Sequence, residues 1–120
     1  MRRIGYTNVN SDLYENLKLE LRRGSLVLAV LAALRTEQYG YTLRGDLAGA
    51  GVAIEESALY PMLRRLEGQG LLHSEWRQDD SRRKRFYRIT PAGEEILRRL
   101  LEEWRQLNES VNRLLRVNPS

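Results

Sequence analysis

Leu97, Leu100, Trp104, Leu107, Val111 and Leu114 follow one another at intervals of 3, 4, 3, 4 and 3 residues. This is the a/d spacing of a heptad seam, held for nearly three heptads. The helix that carries it has a clear start at Thr90-Pro91, a capping threonine followed by a proline suited to the first helical position. Glu94 and Glu95 favour its positive end, and the periodicity runs to about Arg116. A helix of about 25 residues is about 38 Å long. The chain upstream is too short to cover such a rod. Its apolar stripe needs another surface, and the simplest is the same helix of a second copy. Leu97, Leu100, Leu107, Val111 and Leu114 are therefore expected at a homodimer interface, with residues 91–120 as a dimerisation helix behind a domain over residues 1–90.

The upstream pattern is helical, then changes period. Met1–Asn10 shows no periodicity and reads as an arm. Ser11 can cap a short helix with Leu13, Leu17 and Leu21 on one face, broken at Gly24. Ser25 then caps Leu26–Arg35, apolar almost all round and so a central core helix. Tyr39-Gly40-Tyr41 marks a turn before a helix over about Thr42–Ala50, and another spans Glu55–Gln69 with Leu59, Met62, Leu63 and Leu66 inward. Pro61 requires this helix to begin only a turn or so before it, or to kink there. Leu72–Gln78 and Arg85–Ile89 alternate with period two and flank Asp79-Asp80-Ser81, which predicts a two-stranded hairpin. Trp76 alternates with Leu72 and reads as hairpin-to-core packing. Paired helices followed by a hairpin make a mainly α winged helix-turn-helix.

Charge points to the partner. The chain carries a net charge of +4, and Arg77–Arg88 alone holds six basic and two acidic residues, so this stretch accounts for all of it. Such a concentrated field steers polyanions. Like charges crowded on a short hairpin repel one another unless a counter-anion is present, and duplex phosphate supplies one. In a helix-turn-helix the second helix enters the major groove by its N-terminal part. Here its outward residues are Ser57, Tyr60, Arg64 and Arg65. Arg64 suits phosphate or a guanine edge, and Tyr60 suits phosphate or a thymine methyl or a half-buried packing role. Tyr41 and wing residues Arg82, Arg83, Lys84 and Arg85 complete the expected DNA-facing set.

Other chemistries lack their tools. There is no cysteine and one histidine, His73, so cysteine-ligated zinc, disulfides and His-rich metal sites are out, and no cofactor is expected. Glu102 and Glu103 are adjacent on one helix rather than facing, and no convergent catalytic constellation appears, so the chain reads as a non-enzyme. The longest apolar run, Leu26–Leu34, is too short to span a bilayer, and no secretory leader is visible. A cytoplasmic protein without a membrane partner is expected. The competing reading is a winged-helix dimer used as a protein-interaction module without DNA, which the basic wing disfavours.

The sequence resembles PadR-family transcriptional regulators. The match rests on Gly40-Tyr41-Thr42-Leu43, on Ala58 to Glu67 (ALYPMLRRLE), on Gly70-Leu71-Leu72 with Trp76, and on Arg83 to Gly93 (RKRFYRITPAG), and it spans roughly Leu21 to Leu115. The resemblance implies a homodimer with one C-terminal dimerisation helix, acting as a repressor released by phenolic acids, drugs or other small aromatics. It implies DNA contact from Ser57, Tyr60, Pro61, Arg64 and the wing around Arg82–Arg85. The multidrug-binding branch is similar in placing a C-terminal-helix tryptophan against planar ligands at the dimer centre, and Trp104 falls there. Plain seam packing is the other reading of Trp104. Asn108, one turn on, stands where an acidic residue would favour cationic drugs, and the wing tip is Asp79-Asp80-Ser81 rather than glycine-rich.

Overall fold

The computed structural model describes the backbone of residues 2–117 and the side chains of residues 10–116. The elements are α1 (Arg2–Ala33), β1 (Gln38–Tyr39), α2 (Gly40–Gly49), α3 (Glu56–Gly68), β2 (Leu72–Asp79), β3 (Arg82–Ile89) and α4 (Pro91–Val117). Every helix contributes leucine or valine to one core: Val30, Leu31 and the following Leu34, Leu43 and Leu47, Leu59, Leu63 and Leu66, and Leu97. Leu72, Tyr87 and Ile89 close it from the sheet.

The break expected at Gly24 is absent, because α1 is one continuous helix. A single interior glycine weakens a helix by only about 1 kcal/mol, too little to end one anchored downstream by Val27, Val30 and Leu31. Ser25 does not cap. Its Oγ donates to the Arg22 carbonyl at 2.8 Å, the back-bond of a serine inside a helix. The arm expected over Met1–Asn10 is helical from Arg2 onward, and Met1 lies outside the described residues.

The turn expected at Tyr39-Gly40-Tyr41 is also replaced. Gln38 and Tyr39 pair antiparallel with Tyr87 and Phe86, so the hairpin gains a third strand in the order β1-β3-β2. Two residues carry no visible period, and only the edge of β3 makes them a strand. The hairpin extends from Leu72↔Ile89 to Asp79↔Arg82, which narrows its turn to Asp80-Ser81. Asp80 takes φ 59°, a left-handed conformation that aspartate tolerates better than most residues.

Helix ends fix how α3 and α4 meet. Pro61 sits in the second turn of α3, consistent with its late position after the start at Glu56. Gly70 (φ 80°) reverses the chain after α3, and Leu71 N–H returns to the Leu66 carbonyl at 2.9 Å. Thr90 joins this corner to α4. Its hydroxyl donates to the Gly70 carbonyl at 2.7 Å and accepts from Gly93 N–H at 3.0 Å, which is the N-cap expected. Gly93 must be small, since a Cβ there would strike the Leu71 carbonyl oxygen and lie 2.6 Å from Ile89 Cγ1. The first turns of α4 thus belong to the winged body. Leu97, assigned from the sequence to the dimer seam, is only 4% exposed within the single chain.

Candidate nucleic-acid interface

Leu59, Leu63 and Leu66 bury one face of α3. Helical spacing then turns Ser57, Pro61 and Arg64 outward together, and all three are exposed. Arg65 is exposed on one flank of that face. Tyr60 is half-buried on the other flank, against Gly40 at the start of α2, where a Cβ would lie 2.8 Å from the ring carbons Cε1 and Cζ. Gly40 therefore lets the two helices of the motif close onto each other. Arg44 of α2 adds an ion pair to Glu56 at 2.9 Å across the same pair of helices.

Between α3 and the hairpin lies a hollow of about 440 Å³. Tyr41, Tyr60 and Arg64 line one side and Trp76, Arg82, Arg83, Lys84 and Arg85 the other. The arginine-rich strand is not uniform. Its alternation sends Arg83 and Arg85 to the face of Trp76, and Arg82 and Lys84 to the opposite face. Arg85 is held by the body: its Nε donates to Ser74 Oγ at 2.8 Å and its Nη2 to Glu67 Oε1 at 3.3 Å. Ser74 Oγ in turn donates to Glu67 Oε2 at 2.7 Å, so strands β2 and β3 are tied to the last turn of α3. Lys84 donates to Asp79 at 2.8 Å and lies 4.3 Å from the Tyr39 ring centre. These contacts hold the Lys84 ammonium above the usual lysine range, the bond to Asp79 contributing most. Among the described residues no carboxylate forms an ion pair with Arg64, Arg65, Arg82 or Arg83, whereas Glu56, Glu67 and Asp79 are each paired with another cation.

Trp76 is not core packing. It is 53% exposed, beyond the edge of the core that Leu72 reaches. The guanidiniums of Arg83 and Arg85 lie 5.3 and 5.4 Å from its ring centre.

A family model for the transcriptional regulator PadR-like family matches residues 27–99. The chain belongs to the PadR-like family. A curated relative, the transcriptional regulator Rv3488 of Mycobacterium tuberculosis, is 43% identical over 88 residues, covering 70% of this chain and 82% of that protein. The crystal structure of a PadR-family transcriptional regulator from Eggerthella lenta superposes with a TM-score of 0.85 at 45% identity, covering 89% of this chain and 96% of that one. A PadR-like transcription factor from Bacteroides fragilis gives 0.71 at 32% identity, covering 82% and 98%. PadR regulators bind DNA and generally dimerise, and they are transcriptional regulators rather than enzymes.

In this PadR-family chain the hollow gathers Tyr41, Tyr60, Arg64 and the wing cations, while Ser57, Pro61 and Arg65 stand on the open face of α3 outside it. Lys84 and Arg85 are less available than the sequence implies, being bound to Asp79 and to Glu67 with Ser74. Trp76, Glu67, Ser74 and Tyr39 escaped the sequence reading as members of this site. Period-two alternation could have placed Trp76 beside Arg83 and Arg85. Nothing local announced Glu67, which reaches Arg85 across 18 positions. Trp104 and Asn108 are exposed on α4, away from the hollow, together with Leu100, Leu107, Val111 and Leu114. Among the described residues no group of His, Asp and Glu is arranged to hold a metal, and no helix is long and apolar enough to cross a membrane.

Proposed function

We propose that this chain is a homodimeric repressor that reads a pseudo-palindromic duplex and is released by a planar aromatic ligand. The observation that carries the DNA reading is the set of cations around one hollow: Arg64 on α3 and Arg82 and Arg83 on the wing have no carboxylate partner among the described residues. Side chains from two elements then grip one backbone while Ser57, Pro61 and Arg64 meet the major groove, with Arg65 and Tyr41 at its walls. Lys84 and Arg85 shape the wing and add to its field.

Pairing of α4 with its copy would cover Leu100, Trp104, Leu107, Val111 and Leu114, which the single chain leaves in water. Recognition helices in such a dimer fit successive major grooves about 34 Å apart. Two Trp104 indoles near the dyad, with Asn108 one turn away, offer stacking faces and amides to a flat aromatic molecule. Such a ligand releases DNA only to the extent that it binds a different helix spacing more tightly.

The test is affinity against salt, on a duplex enriched from random sequence by the protein itself. The logarithm of the binding constant should fall linearly with log salt, and Arg64→Ala, Arg82→Ala and Arg83→Ala, each removing one phosphate contact per protomer, should each reduce that slope by about 1.8. No enrichment, or a slope indifferent to all three, overturns the DNA reading. Addition of planar aromatics should quench Trp104 and weaken the complex. Quenching without release rejects the effector reading alone.

A further inference from the structure

The wing holds one feature that phosphate binding does not require. A tryptophan exposed on a strand leaves apolar surface in water, and Trp76 is 53% exposed. The indole is nevertheless held in place. The Arg85 guanidinium lies 5.4 Å from its ring centre and is itself pinned to Glu67 of α3 and Ser74 of β2, while that of Arg83 lies 5.3 Å from the same ring centre. The plane is therefore ordered relative to α3 without any ligand, and it forms part of the hollow between α3 and the wing. Arg82 and Arg83 line the same hollow and have no carboxylate partner among the described residues, Arg83 on the face of Trp76 and Arg82 on the other, nearer the tip.

A DNA strand presents alternating surfaces to such a wall: anionic phosphates and, between them, the apolar edges of deoxyribose. We infer that Trp76 is a direct, non-ionic DNA contact, its indole packing on the sugar of a nucleotide whose flanking phosphates are held by Arg82 and Arg83. This rests on the DNA reading above and adds a different kind of interaction. A phosphate contact releases counterions and is weakened by salt, whereas burial of an aromatic plane against a sugar is insensitive to it. Arg83 then has two roles, binding phosphate and steadying the indole. Arg85 is a positioning residue that acts through Trp76.

The chain contains two tryptophans, so protein labelled with 5-fluorotryptophan gives two fluorine resonances, and the one missing from Trp76→Phe is assigned to Trp76. The probe is a 30-base-pair duplex enriched by the protein from random sequence. At saturation the Trp76 resonance should move and lose its H2O/D2O solvent-isotope shift. Trp76→Ala should weaken binding about tenfold at every salt concentration, with the slope of log affinity against log salt unchanged. If the Trp76 resonance keeps its solvent-isotope shift at saturation, the contact does not exist. If Trp76→Ala lowers the salt slope by about 1.8, one lost phosphate contact in each protomer, the indole serves only to hold Arg83, and the inference also fails. In both of those cases the duplex is still bound, so the DNA reading stands. Failure of the library to enrich any duplex defeats that reading instead. The fluorine measurement uses the wild-type chain and needs only the conservative phenylalanine variant for assignment, so it decides even where the alanine variant folds poorly.

Discussion

Leu31, Leu34, Leu43, Leu59 and Leu63 have no exposed surface, whereas Leu107 and Leu114 of α4 are 62% and 68% exposed. The residue type is the same and the surroundings are opposite. The winged body satisfies its apolar residues within one chain. Four helices and a small sheet each turn one face inward, and the corner at Gly70, Thr90 and Gly93 locks them. The rod beyond Leu97 is stabilised locally by ion pairs such as Glu102–Arg105 and Arg105–Glu109, and its apolar residues Leu100, Leu107, Val111 and Leu114 are exposed. The body is a finished structure, and in the proposed dimer the rod is half of one. Stability should therefore be a property of the molecule in the first region and of concentration in the second.

The sharpest way to break this comparison is to damage each region in turn. Leu63→Ala removes a fully buried side chain and should lower unfolding free energy by about 2–5 kcal/mol, whatever the protein concentration. Chemical unfolding followed by circular dichroism measures it. Leu107→Glu combined with Leu114→Glu should leave the body folded but give a single protomer in sedimentation, with loss of tight duplex binding. If that pair also abolished cooperative unfolding of the body, the two regions would be one unit and the distinction would be wrong.

What the sequence disclosed follows the same division. The seam on α4 and the leucine faces of α2 and α3 are repeats of one period along one helix, and repetition is legible without a structure. The Thr90-Pro91 start was equally local, because a cap acts on the N–H three positions on. Long-range closures were not legible. Gln38 and Tyr39 become a strand only because β3 offers an edge, and Arg85 is removed from the free cations only because Glu67 lies beside it in space. Gly24-Ser25 misled for a different reason. Glycine and serine are punctuation in isolation, but the anchored helix around them outweighs a local preference of about 1 kcal/mol.

A smaller effect sharpens the boundary between the regions. Gly93→Ala places a methyl against the Leu71 carbonyl oxygen and within 2.6 Å of Ile89 Cγ1, so α4 must shift away from the body. A loss of about 1–3 kcal/mol is expected, as for other overpacked sites. Because the clash is at the root of the rod, it should also change duplex affinity by re-aiming α4 against the wing. Thermal unfolding and the enriched duplex measure the two consequences. An unchanged melting temperature would show that the root is looser than the Thr90 cap and Gly93 contacts indicate.

Acid should reveal the least effect, and it should appear in the rod first. Hydrogen bonds from Arg105, then Gln106, hold the Glu102 carboxyl below its usual range, and the bond from Arg98 does the same for Glu95. A group whose folded value is depressed stabilises the fold above the unfolded value and loses that contribution as pH falls through the folded one. The stabilisation is thus complete above the ordinary glutamate value of 4.5 and fades below it. These pairs are at the surface, so the change should be smaller than that of Gly93→Ala. Glu75 in the sheet is depressed as well, first by its bond with His73 and then by Arg77, but the strand that carries it is also anchored by Leu72 in the core. Cα chemical shifts of residues 102–113 should therefore drift toward coil values on acidification while those of residues 59–66 stay helical. Equal drift in both segments would mean that buried leucine confers no more acid resistance than a surface ion pair, which would remove the physical basis of the contrast between body and rod.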